Sequence, residues 1–164
     1  MRGPVHGATT VTPAGSTLKA QYRNNDVAGP TNDSIQPHLQ LVNTGASGVD
    51  LGTITVRYWF TKEAGASTFT TNCYYATVDC SNVTHGVVPV SPARTGADAY
   101  LLVGFQSSTL AAGASSQVQL GINKTDWSIF NEVDDYSYGI GTSYTDSTKV
   151  TVYQGGTLIW GTEP

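Results

Sequence analysis

The densest run of side chains able to touch a ligand is Lys124-Thr125-Asp126-Trp127-Ser128-Ile129-Phe130-Asn131-Glu132-Val133-Asp134-Asp135-Tyr136-Ser137-Tyr138. It places a Trp on a polar turn, then a cluster of carboxylates, then two Tyr in alternation. Asn131, Asp134 and Asp135 can turn hard oxygen donors toward one point. Such a set suits calcium, which takes roughly six to eight oxygens and tolerates irregular geometry. The competing reading is a polar loop with solvated acids.

Catalysis would need a placed acid and base or an activated nucleophile. Glu63, Asp126, Glu132, Asp134 and Asp135 are the candidates for a glycosidase pair. A carboxylic acid that stays protonated near neutral pH needs an apolar setting, and these acids fall in polar turns. His6, His38 and His85 have no Ser-Asp or Cys context. The residues argue against an enzyme. Binding fits better. Trp127, Tyr74, Tyr75, Phe130 and Trp59 lie among polar residues, where a ring face can stack on a pyranose while Asn, Gln and Ser bond its hydroxyls. The alternative is that each ring is core. Trp127, between Lys-Thr-Asp and Ser, is expected to be exposed. On a regular strand only one of Tyr74 and Tyr75 faces outward.

The elements that must position these groups read as strands. Leu51 to Thr61 carries the strongest signal, with Ile54, Val56, Tyr58 and Phe60 on one face and Thr53, Thr55, Arg57, Trp59 and Thr61 on the other. Further strands are expected over 18–23, 35–42, 68–78, 83–90, 99–105, 116–122, 149–153 and 157–160. Pro89 and Pro92 are expected to end the fifth of the nine, and Gln154-Gly155-Gly156 to turn the last hairpin. No helix is expected beyond one short turn within 126–134. About nine strands with regular turn spacing predict an all-β sandwich or jelly roll.

Composition agrees. Charged residues are 12% of the 164 and the formal net charge is -4, without a basic patch, which argues against nucleic acid. No apolar run reaches transmembrane length. Residues 1–7 lack the apolar stretch of a signal peptide and read as an appended start. Residues 7–16 read as a Thr/Pro/Gly linker, which places the domain at 17–164. In an exported protein Cys73 and Cys80 would pair. Their opposite parity then demands a turn or bulge between them; two free buried thiols are the alternative.

Several short segments, in this order and spacing, resemble the family 3 carbohydrate-binding modules, the cellulose-binding type of bacterial cellulases and scaffoldins. They are Leu41-Val42-Asn43-Thr44-Gly45, Val56-Arg57-Tyr58-Trp59-Phe60-Thr61, Ala97-Asp98-Ala99-Tyr100-Leu101, Asp126-Trp127-Ser128, Asp134-Asp135-Tyr136-Ser137-Tyr138 and Leu158-Ile159-Trp160-Gly161-Thr162-Glu163-Pro164. The resemblance covers about Leu18 to Pro164. It implies a nine-stranded jelly roll and a secreted, non-catalytic module, joined covalently to a glycoside hydrolase or scaffoldin and binding cellulose or a related β-glucan through a flat aromatic strip. It implies structural calcium on Thr61, Glu63, Asn131, Asp134 and Asp135. Trp127 matches the strip's tryptophan. Tyr74 and Tyr75 fall at the strip's Asp-His position after the cysteine, so Tyr75 would supply the ring, and the strip's tyrosine falls near Thr84 and His85, where His85 would replace it. The strip's arginine has no equivalent near Ile122 and Asn123. A shallow groove on the opposite face would use Arg57, Trp59, Tyr100, Tyr136 and Tyr138. The alternative within the family is a degenerate strip that binds single glucan chains or packs on a catalytic domain.

Overall fold

The computed structural model describes residues 17–164, so the expected linker lies outside the described residues. In chain order the strands are β1 (Leu18–Asn24), β2 (Thr31–Asn32), β3 (Pro37–Asn43), β4 (Val49–Asp50), β5 (Ile54–Phe60), β6 (Phe69–Ala76), β7 (Val83–Arg94), β8 (Ala97–Phe105), β9 (Thr109–Leu110), β10 (Ser115–Lys124), β11 (Phe130–Asn131), β12 (Thr145–Asp146), β13 (Val150–Gln154) and β14 (Thr157–Trp160). Two antiparallel five-stranded sheets, ordered β12-β1-β3-β10-β6 and β14-β13-β5-β8-β7, form the sandwich. Leaving aside the two-residue β12, their nine strands correspond one to one with the nine expected. The fold is the all-β jelly roll.

Alternation explains the core. Leu18, Ala20 and Tyr22 of β1, Leu39 and Leu41 of β3, and Val118, Leu120 and Ile122 of β10 face Val56, Tyr58 and Phe60 of β5 and Leu101 and Val103 of β8. The inner faces of two packed sheets interdigitate in this way, and each buried aliphatic or aromatic side chain contributes about 1.5–3 kcal/mol. Phe130, weighed above as a ligand-stacking ring, is fully buried and packs edge-on against Phe60. It is a core residue.

Three boundaries differ from expectation. β7 runs through Pro89 and Pro92 to Arg94, with an irregularity between Pro89 and Arg94. It is an edge strand, where a missing N–H on the open side leaves no ladder bond unmade. Leu51–Thr53 is a 3-10 turn rather than the start of β5, because the Asp50 side chain accepts from Gly52 N. Ile35 makes a single bridge to Ile122 ahead of β3.

Candidate carbohydrate-binding and metal-binding sites

Tyr74 and Tyr75 both face out, 59% and 49% exposed. Regular alternation forbids this. The register between β6 and β10 supplies the reason. Gln119 pairs with Tyr75 but Leu120 pairs with Cys73, so Tyr74 is the extra residue of a β-bulge. The Tyr74 ring lies across Gly121, where the absence of a side chain leaves room for it. The bulge also keeps Cys73 opposite the inward Leu120. The 3-10 turn Cys80–Asn82 then brings Cys80 back to it, and the two are joined with S–S 2.12 Å.

β10 carries the surface about 10 Å from Gly121 to Lys124, and Trp127 stands just beyond, 60% exposed. Trp127 has φ 58°, a left-handed conformation costing a bulky residue on the order of 1–3 kcal/mol. The surroundings enforce it. Trp127 N donates to Lys124 O at 2.9 Å, and Asp126 accepts from Ser128 N and Oγ through Oδ1 and from Ala66 N through Oδ2. Lys124 is buried, with Nζ donating to Ala64 O at 2.6 Å and lying over Phe130 at 4.9 Å. Burial lowers its pKa, while Glu63, Asp126 and Asp98 push it back up.

Beside the rings lies a polar face that alternation alone does not reveal. Gln117, Gln40, Gln21 and Asp146 are in register across four strands. Gln40 Nε2 donates to Gln21 Oε1 at 2.7 Å, and Gln21 Nε2 to Asp146 Oδ1 at 2.9 Å. The next row is Tyr75, Gln119, His38 and Arg23. Alternation marks each glutamine as outward, but only the register of three strands brings them into one row. His85 is not part of this face. Its Nδ1 lies 2.7 Å from Thr71 Oγ1, and Thr71 pairs with the inward Ile122.

The acidic groups converge elsewhere. Carboxylate oxygens of Glu63, Asp134 and Asp135 lie within 4.8 Å of one another. Thr61 Oγ1 is 2.6 Å from both Glu63 Oε2 and Asp135 Oδ1, and Thr61 N donates to Asp135 Oδ1 at 2.9 Å. One hydroxyl hydrogen can serve only one of two carboxylates. Asp135 Oδ2 is buried without a hydrogen-bond partner. Burial first, then Asp134 and Glu63, raise the Asp135 pKa to about 7 against the hydrogen bonds from Thr61. A cation relieves this crowding, so the donor set fits a hard metal ion. Asn131 Oδ1 accepts from Val133 N and caps the 3-10 turn Glu132–Asp134 that presents Asp134. Neighbouring Glu132 is buried and raised to about 9 by burial, then by Asp26 and Asp135, which makes it a neutral acid at pH 7.

In the expected groove Arg57, Tyr100 and Tyr136 are half-buried, and Trp59 is buried beneath its neighbours. Trp59 is 1% exposed, with Tyr100 at 4.8 Å, the Arg94 guanidinium 5.4 Å from its ring, and Nε1 donating to Thr151 Oγ1. Arg57 sits 4.4 Å from the Tyr100 ring and 4.3 Å from the Tyr153 ring. Glu163 lies 3.6 Å from Arg57 and 3.2 Å from Arg94, and accepts from Tyr153 Oη at 2.5 Å. Tyr136 Oη donates to Thr162 O at 2.6 Å. The segment 162–163 is therefore tied to Arg57, Arg94, Tyr153 and Tyr136. Tyr138 faces another neighbourhood: burial, Glu132 and Asp26 raise its pKa, against a hydrogen bond from Asn24.

Comparison with known proteins bears on the family. The family model described as cellulose binding domain matches residues 19–161. Endoglucanase A of Paenibacillus lautus is 38% identical over 164 residues, covering 96% of this chain and 23% of that protein. Cellulosomal-scaffolding protein A of Acetivibrio thermocellus is 35% identical over 156 residues, covering 90% of this chain and 8% of that protein. The chain thus spans less than a quarter of these relatives. The CBM3b module of the major scaffoldin subunit ScaA from Acetivibrio cellulolyticus superposes with a TM-score of 0.87 at 38% identity, covering 92% of this chain and 99% of that one. From the match over most of its length and the shared sandwich, the chain belongs to the cellulose-binding-domain family, as a non-catalytic family 3 carbohydrate-binding module.

Proposed function

We propose that the module binds cellulose, or a related β-glucan surface, through Tyr74, Tyr75 and Trp127, flanked by the glutamine face. The observation that carries this is the bulge at Tyr74, which turns two consecutive rings outward on the strand edge that leads to Trp127. Ring faces cover the apolar faces of sugar units, and the adjacent amides donate to and accept from hydroxyls. An extended ligand surface calls for such an exposed row rather than a closed pocket. His85 falls outside the proposed contact row.

The acidic cluster is proposed as a structural calcium site held by Thr61, Glu63, Asp134 and Asp135, with Asn131 at its margin. The ion would supply charge neutralisation and fasten the loop after β5 to the loop after β11. The orphaned Asp135 Oδ2 and the doubly claimed Thr61 hydroxyl support this reading. As in the enzymes and scaffoldins it resembles, the module would be secreted and covalently linked to a catalytic or scaffolding partner, raising that partner's local concentration on the polymer.

The test is depletion from solution by microcrystalline cellulose. The intact module is expected to sediment, and Trp127→Ala and Tyr75→Ala to stay in solution with unchanged circular dichroism. Equal sedimentation of both variants would remove the aromatic row from the binding surface.

A further inference from the structure

At the outer end of the row, beside Tyr75, lies a shallow open recess of about 460 Å³, lined by Tyr74, Tyr75, Thr77, Asp79 and the Cys73–Cys80 disulfide.

The recess is chemically furnished. Asp79 is exposed, and its carboxylate makes no capping bond to the following turn. Its backbone holds φ 85°. Asp79 N donates to Ala76 O at 3.0 Å, Asn82 N donates to Asp79 O at 2.9 Å, and Asn82 Nδ2 donates to Val78 O at 2.7 Å, while the disulfide closes the loop. The side chain is therefore presented from a rigid turn. Thr77 Oγ1 accepts from Gln117 N at 2.9 Å and keeps its own hydrogen to donate.

We propose that this recess is a separate subsite for one pyranose unit that leaves the plane of the bound glucan. The Tyr75 ring and the disulfide would cover an apolar edge of the sugar. The Asp79 carboxylate would accept from two vicinal hydroxyls, and the Thr77 hydroxyl would donate to a third oxygen. The unit is either the end of a chain or a side branch, since an internal unit is held in the plane of the chain by its two glycosidic bonds. The inference rests on the sugar-binding reading of Tyr74 and Tyr75 and adds a ligand class that a flat row cannot distinguish.

The experiment uses the unsubstituted module, titrated with cellohexaose and with a branched xyloglucan oligosaccharide while backbone amide resonances are followed, alongside depletion by cellulose. Asp79→Asn is the paired variant, because Asn tolerates positive φ and should keep the turn. The expected result is shifted amides at Thr77, Asp79 and Cys80, with oligosaccharide affinity about tenfold weaker in Asp79→Asn, the size of losing a charge-assisted hydrogen bond. Depletion by cellulose should not change. A response to cellohexaose assigns the subsite to chain ends, and a response confined to the branched sugar assigns it to branches. Sedimentation on cellulose without any shift at 77–80 overturns the subsite and leaves the aromatic row standing. Loss of sedimentation with shifts retained would remove the flat row and keep the recess.

Discussion

The far end of the Tyr74 ring lies against Gly121: a Cβ at that glycine would stand 2.6 Å from the phenol oxygen and 2.7 Å from Cε2. The obstructing atoms are the far end of a movable side chain rather than backbone, so a larger residue should tilt the ring instead of unfolding the strand. Gly121→Val is expected to keep the fold and weaken cellulose binding about three- to tenfold, the scale of one misaligned aromatic contact. Adsorption isotherms against the parent module would check this, and an unchanged isotherm would show that Tyr74 does not bear on the ligand.

Calcium removal should lower stability. An ion bound at about a hundred times its Kd contributes about 2.7 kcal/mol, and a domain of this size shifts by about 2–4 °C per kcal/mol. Calorimetry is expected to show Tm falling about 5–10 °C with a chelator and returning with added calcium. Asp135→Asn should abolish the response. A chelator-insensitive Tm would assign the cluster no metal.

His38 should make the fold acid-sensitive over a defined window. It is 3% exposed, and Arg23 Nη2 donates to its Nδ1 at 3.0 Å, so the ring is neutral. Burial first, then the Arg23 charge, lower its pKa from 6.5 to about 4. The unfolded chain therefore binds the proton more readily, and stability falls as pH drops from about 6.5 toward about 4, by up to about 3 kcal/mol. Urea denaturation at stepped pH should show this loss, and His38→Gln should flatten that part of the profile. A parallel profile in the variant would remove His38 as the cause.

Glu163 closes the aromatic cluster on the other sheet. Its pKa is lowered by the Tyr153 hydroxyl and then by Arg94, with Arg57 adding to the pull. The ion pairs are partly solvated and individually weak, but the hydrogen bond to Tyr153 is charge-assisted. Glu163→Ala is expected to cost about 1–2 kcal/mol, and Glu163→Gln, which can still accept from Tyr153, less. Thermal melts of both variants would decide, and no change in either would mean the Glu163 side chain contributes nothing to stability.

Much was readable from the chain alone. Nine strands, the inward face of β5 and the exposed Trp127 follow from alternation and turn chemistry, which act over a few neighbouring residues. The acids of the candidate metal site could be named, and so could the family. What the chain did not show depends on which strands pair and in what register. Tyr74 and Tyr75 share an outward face only because β6 gains a residue against β10. Trp59 is buried because Arg94 and Tyr100 close over it. Gln117, Gln40 and Gln21 form a row only once three strands are aligned. Glu63 meets Asp135 across a sequence gap that no local pattern spans. Periodicity decides which side of a strand a residue faces; partner and register, decided by packing of the whole sandwich, determine what it meets there.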